Sequence, residues 1–173
     1  MALTYTPIAT TTVTGSAVAS VTFSSIPSTY TDLVLIGTPL ATTSGKGTLY
    51  VEFNGDTTSN YSETILWGNG TSANSGRQAN SYGASIGGWD AGVLNTQQNN
   101  ITHIMNYSNI TTYKTVLSRW NNSADAEVHV SLWRKTPEAI NSIKIYIGFA
   151  NSSTNQDTLA VGSVFTLYGI TAA

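Results

Sequence analysis

The sequence predicts an all-β protein, a single-domain antiparallel β-sandwich of jelly-roll type, and three observations carry that expectation. Apolar residues recur with period two, which sets side chains on opposite faces of an extended strand. Val128, Val130 and Leu132 alternate with Glu127, His129 and Ser131, while Ile143, Ile145, Ile147 and Phe149 alternate with Ser142, Lys144, Tyr146 and Gly148. Strong helix formers never gather over the roughly ten residues that a helix needs. Clusters of Gly, Pro, Asn, Asp and Ser punctuate the chain at short intervals, and many short strands joined by such turns make a sandwich or barrel.

Taken in order, residues 1–13 carry no charge and read as an extended N-terminal arm that lies along a neighbour. Strands are expected at 17–23, 32–37, 48–53 and 62–67, separated by Ser25-Ile-Pro-Ser28, Thr43-Ser-Gly-Lys-Gly47 and Asn54-Gly-Asp56. Residues 68–100, where Gly, Ser, Asn and Gln dominate around Tyr82 and Trp89, read as a long loop excursion out of the sandwich. Loops longer than about 15 residues are uncommon in compact domains unless they are functional or ordered by a partner. Five more strands follow at 101–107, 115–120, 127–132, 142–149 and 161–170, with at most one helical turn at Thr136-Pro-Glu-Ala-Ile140. The total suits a jelly roll of eight core strands plus one or two edge strands, and the lack of any fixed repeat argues against a solenoid or fibre shaft.

Charge narrows the function. Of 173 residues only 9% are charged, the net charge is −2, and Thr, Ser and Asn fill 62 positions. Average soluble proteins carry about 25% charged residues, so hydroxyl and amide groups must form most of this surface. The seven basic residues, Lys46, Arg77, Lys114, Arg119, Arg134, Lys135 and Lys144, are scattered, whereas a phosphate-binding face clusters them; nucleic acid is not expected as a partner. No stretch approaches the ~18 apolar residues of a membrane span, and the N-terminus lacks the basic and apolar regions of a signal peptide. With no cysteine there is no disulfide framework, thiol nucleophile or Cys-ligated zinc, and oligomerisation is the usual substitute for such staples.

Catalytic, cofactor and metal sites are not expected. His103 and His129 each sit in an alternating strand and read as structural or solvent-facing, and no Gly-x-Ser-x-Gly accompanies them. The nearest acid pairs, Asp56 with Glu63 and Asp125 with Glu127, read as turn residues and solvated strand positions rather than a glycosidase pair. Asn54, Asp56 and Asn60 faintly resemble a calcium loop, but the full ligand spacing is missing and Asn-Gly suits a type I′ turn. Trp67, Trp120 and Trp133 each end a strand, where they close the core or fill a subunit interface. Trp89, in the glycine-rich stretch, is the best single candidate for touching a partner protein or glycan, followed by Tyr82 and by Tyr5 and Pro7 of the arm.

Several segments have a family likeness. Tyr5-Thr-Pro-Ile-Ala-Thr-Thr-Thr12, Phe23-Ser-Ser-Ile-Pro27 running into Tyr30-Thr-Asp-Leu-Val-Leu35, Phe53-Asn-Gly-Asp56 with Asn60-Tyr-Ser62, Trp67-Gly-Asn-Gly70 and Phe165-Thr-Leu-Tyr-Gly-Ile170 resemble small structural proteins of tailed bacteriophages, particularly phages of aquatic bacteria. The resemblance implies a virion component with a jelly-roll sandwich and brings no catalytic residues. Two locations follow from it: a capsid decoration (cement) protein, a dimer or trimer that clamps the major capsid protein or another virion protein, or a tail- or head-fibre adhesin module that binds cell-surface glycan.

Overall fold

Alternating apolar residues must bury one face of each strand against a second layer, and this chain does so with two antiparallel sheets. The computed structural model describes residues 4–43, 47–89, 93–150 and 152–171, all of them strand, turn or irregular, with no helix. Numbered in chain order, the larger sheet runs β1 (Tyr5–Thr12), β13 (Val164–Ile170), β3 (Asp32–Thr38), β8 (Asn99–Ile104), β9 (Lys114–Asn121), β10 (Ala126–Trp133), β5 (Tyr61–Gly68) and β6 (Ala73–Ser81). The smaller runs β12 (Ser152–Asp157), β11 (Ile143–Phe149), β4 (Thr48–Phe53) and β7 (Ala84–Gly87), with β2 (Ser20–Phe23) also paired to β11. Every pairing is antiparallel, so the fold is an antiparallel β-sandwich.

The core lies between the sheets. Leu33, Leu35, Phe165 and Leu167 of the larger sheet meet Leu49, Val51, Ile143, Ile145 and Ile147 of the smaller, all fully buried. Here period two reads as expected, with the isoleucines of β11 inward. Phe53, Tyr61 and Trp133 close one end with ring centroids 5.4–6.2 Å apart. Their polar atoms are satisfied: Tyr61 Oη accepts from the Phe53 N–H (3.0 Å), and Trp133 Nε1 donates to Asp56 Oδ2 (2.7 Å).

That second bond explains the Asn54–Asp56 turn. Asn54 and Gly55 both have positive φ, 52° and 69°, the pair that a type I′ turn demands. The Asn54 side chain then ties down the 138–142 segment, donating to Glu138 Oε1 and the Ala139 carbonyl and accepting from the Asn141 and Ser142 N–H groups. Asp56 accepts from Thr58, Asn60 and Trp133. Burial alone would raise its carboxyl, yet these hydrogen bonds hold it below the ordinary carboxylate value. The Asn54 and Asp56 side-chain oxygens that faintly resembled a calcium loop thus serve as structural braces.

Two expectations need correction. The N-terminal arm is, from Tyr5 to Thr12, an edge strand paired along its length with β13, broken by a bulge between Pro7 and Ala9. Proline lacks an N–H and is tolerated there because an edge strand leaves half its groups unpaired. The excursion over 68–100 contains two strands: β6 forms a hairpin with β5, and β7 pairs with β4. Residues 1–3 of the expected arm and 90–92 of the expected loop lie outside the described residues.

Asp56→Ala leaves the buried Trp133 Nε1 without its acceptor and should lower unfolding stability by about 1–3 kcal/mol in urea titrations; unchanged stability would refute the bracing role.

Candidate functional site

β7 creates a problem that the neighbouring strands solve. Its four residues are buried, and backbone groups of Ser85 and Ile86 receive hydrogen bonds from side chains rather than from another strand. Ser85 N–H donates to Glu63 Oε2 (3.0 Å), and the Ser85 carbonyl accepts from Ser131 Oγ (3.0 Å). The Ile86 carbonyl accepts from Asn100 Nδ2 (2.7 Å) and Ser118 Oγ (2.6 Å). A buried backbone group without a partner costs about as much as a lost hydrogen bond, so β5, β8, β9 and β10 must point polar residues inward here.

Consequently β10 is inverted relative to the simplest reading of its alternation. Glu127, His129 and Ser131 are buried at 2%, 0% and 0% exposure, while Val128 and Val130 face out at 38% and 45%. Glu63 and Glu127, expected at turn or solvated positions, are interior. The seam continues from Ser85 Oγ to His129 Nδ1 (2.7 Å) and from His129 Nε2 to Glu127 Oε2 (2.6 Å), which also accepts from the Trp89 N–H (3.0 Å). Serine, histidine and carboxylate stand in the order of a hydrolytic triad, but all three are shut from solvent, and the arrangement braces β7. The other histidine, His103, is on the surface 3.1 Å from Asp32.

Burial pushes the Glu63 carboxyl from 4.5 up to about 8, an effect partly offset by hydrogen bonding from Ser85. Burial likewise drives the Tyr50 and Tyr146 phenols well above their ordinary value. Space under these rings is tight. A Cβ at Gly83 would meet the Tyr146 hydroxyl at 2.8 Å, and one at Gly87 would meet the Trp120 ring at 2.3 Å.

The inversion has an external counterpart. Across the outer face of the larger sheet, register aligns Ser75, Leu66, Val128, Arg119, Ile101 and Ile36 in one row. The row beside it holds Arg77, Thr64, Val130, Leu117, His103 and Val34. The first row forms the floor of a hollow of about 1020 Å³, extended toward Gly68, Ala126, Asn121, Asn99 and Thr38. A smaller dip of about 180 Å³ shares Ile101 and Arg119 and adds Tyr5, Val34, His103, Leu117 and Ile170. Ile36, Leu66, Ile101 and Val128 are its large aliphatic residues, Trp67 and Trp120 also line it, and Arg119 and Glu127 are its charged ones.

Of the residues singled out by sequence, Tyr5 belongs to this face: half exposed, it meets Tyr168 edge to face at 6.2 Å. Pro7 sits opposite Tyr168 on the same edge strand. Trp89 and Tyr82 lie at the other edge. Trp89 is half-buried and crowds Gly76 together with Trp67, and Tyr82 is half-buried with its N–H bonded to the Ala150 carbonyl. The two pairs are not brought together. Trp120 and Trp133 are buried, as strand-ending aromatics that close the core should be. The signal overlooked in the sequence was the run of exposed aliphatics Leu66, Leu117, Val128 and Val130, whose alternation was visible although the direction of each face was not. Among the described residues no group of three His, Cys, Asp or Glu side chains could hold a metal ion. No protein-family model matches the chain, and no curated protein matches its sequence.

Because only the folded carboxyl of Glu63 is raised, unfolding releases a proton between about pH 4.5 and about pH 8. Its stabilising contribution is whole below that window and is lost as pH rises through it, by up to about 1.4 kcal/mol per pH unit. Denaturation from about pH 5 to about pH 9 should therefore show wild type losing stability relative to Glu63→Gln; a constant difference would reject the protonated buried acid.

Proposed function

We propose that the chain is a non-enzymatic structural subunit of a tailed-phage virion, a capsid decoration protein that self-associates and packs on the outer shell against the major capsid protein or another virion protein. The observation that carries this reading is the outer face of the larger sheet, concave, aliphatic and nearly uncharged. Interface cores are depleted in charge and well packed, and contiguous exposed apolar surface of this extent marks a contact site. The family likeness of the sequence supports the virion setting. A jelly-roll wiring belongs to the same reading, supported by the way the chain changes sheet at every step from β1 to β5.

Such a protein works by mass action. Contacts made only in the assembled shell stabilise that state by RT ln(1 + [L]/Kd). A contact built from aliphatic, hydroxyl and amide groups gains little from long-range charge, so attachment should depend weakly on salt. The chemistry of the seam is consistent with a structural role, since Ser85 and His129 are fully buried.

The fibre-adhesin reading is favoured by one feature, the half-exposed Tyr5 beside Tyr168, which offers ring surface to a sugar. The outward side chains of the hollow, Ile36, Leu66, Ile101 and Val128 chief among them, favour a protein partner instead, because their area is mostly aliphatic.

Quantitative mass spectrometry and imaging of purified particles test the proposal. Copies in the hundreds on the shell, retained from low to high salt, are expected. A few copies at the tail would transfer the protein to the adhesin reading, and absence from particles would overturn both.

A further inference from the structure

We propose that Asn69 is a modification site, a deamidation centre at which the Gly70 backbone nitrogen displaces the side-chain amide. The chain has two Asn-Gly pairs, Asn54-Gly55 and Asn69-Gly70. Both occupy turns with glycine at positive φ, 69° and 88°, and at both an added Cβ would meet nothing within 4 Å. Glycine therefore leaves either following nitrogen unshielded. Asparagine is a thermolabile residue type, and what separates the two pairs is how each side chain is held.

Asn54 is half-buried and fully engaged with a remote segment. Its Nδ2 donates to Glu138 Oε1 (3.0 Å) and the Ala139 carbonyl (2.8 Å), and its Oδ1 accepts from the Asn141 (2.9 Å) and Ser142 (3.2 Å) N–H groups. These partners draw the amide away from its own chain. Attack by the Gly55 nitrogen requires the amide carbon to swing back, and the departing nitrogen must leave two acceptors. Several hydrogen bonds break together, and each has a net worth in stability.

Asn69 is exposed, and its partners lie just ahead of it in the chain. Its Oδ1 accepts from the Thr71 and Ser72 N–H groups (both 3.0 Å) and from the Thr71 (2.8 Å) and Ser72 (3.2 Å) hydroxyls. The side chain is thus folded forward across the Gly70 peptide, the direction in which ring closure must run. The same four donors converge on the oxygen where negative charge develops during attack, the arrangement that stabilises an oxyanion. Gly70 is exposed as well, so solvent reaches both the attacking nitrogen and the leaving amide.

Water is the sole co-reactant. The Gly70 nitrogen bonds to the Asn69 amide carbon, its proton passes through solvent to Nδ2, and the bond from that carbon to Nδ2 breaks to release ammonia. Water then opens the resulting succinimide at either carbonyl, giving aspartate or isoaspartate. Either product adds one negative charge to a chain whose formal charge is −2. The new carboxylate stands between Gly68 and Ala73, which pair across the β5–β6 hairpin and line the hollow. Isoaspartate also lengthens the main chain by one methylene inside the loop that fixes this hairpin's register.

Wild type aged in neutral buffer at body temperature, folded and in urea, tests the proposal. Trypsin cuts after Lys46 and Arg77, so one peptide, 47–77, carries both pairs and compares them internally by fragment-ion mass spectrometry. In the folded protein Asn69 should convert at least about tenfold faster than Asn54, whereas in urea the two rates should agree within about threefold. Ion exchange should show an acidic species that grows with age in wild type and is missing from Asn69→Gln, an exposed position at which circular dichroism checks folding. Folded Asn54 converting as fast as Asn69, Asn69 staying intact in the folded protein while it converts in urea, or Asn69→Gln forming the acidic species at the wild-type rate would each overturn the proposal. A tenfold gap that persists in urea would assign the selectivity to local sequence and overturn the structural argument.

Discussion

The buried backbone edge of β7 that no further strand pairs is the constraint on which the rest of this structure depends. A four-residue strand buried between layers must find partners for groups that no further strand meets, and Glu63, Asn100, Ser118 and Ser131 supply them. Four strands of the larger sheet therefore turn polar side chains inward at that end, where His129 and Glu127 extend the seam to the Trp89 backbone. Elsewhere the same sheet packs Leu33, Leu35, Phe165 and Leu167 in the ordinary way. The sandwich thus has an apolar half and a hydrogen-bonded half. In the second half, specificity comes from directional bonds that a shifted register would break.

A strand has two faces, so polar residues drawn inward send their apolar neighbours out. Val128, Val130, Leu117 and Leu66 reach solvent because Glu127, His129, Ser118 and Glu63 are needed inside. The interior requirement of β7 and the aliphatic exterior of the larger sheet are one fact seen from two sides. Under the proposed role this surface would give the nearly uncharged composition a use, since low charge density hinders the solubility of a free chain and suits a subunit held in an assembly.

Much of the fold was legible in the residues. Alternation located the central strands, Asn54-Gly55 marked its turn, and the isoleucines of β11 faced the core as expected. Three features were not. Period two distinguishes two faces without saying which is buried, and in β10 hydrophobicity pointed the wrong way because β7 could not be foreseen. β6 reads as a loop because an edge strand solvated on its free side needs no apolar residues, and its Ala-Asn-Ser-Gly composition carries no strand signal. The asparagines shape the connections: Asn69, Asn109 and Asn122 each accept two backbone N–H groups ahead of them in the turns between strands. The candidate site was legible only in part, through Tyr5, because an apolar surface made by register across six strands has no motif in one dimension.

The inversion of β10 can be measured directly, because the chain has no cysteine and a single introduced thiol reports its own position. In dilute solution Val130→Cys should react with a water-soluble maleimide at nearly the rate of a free thiol, while Ser131→Cys should stay unreactive until the protein unfolds. Rapid labelling at 131 with protection at 130 would place the valines in the core and contradict the account.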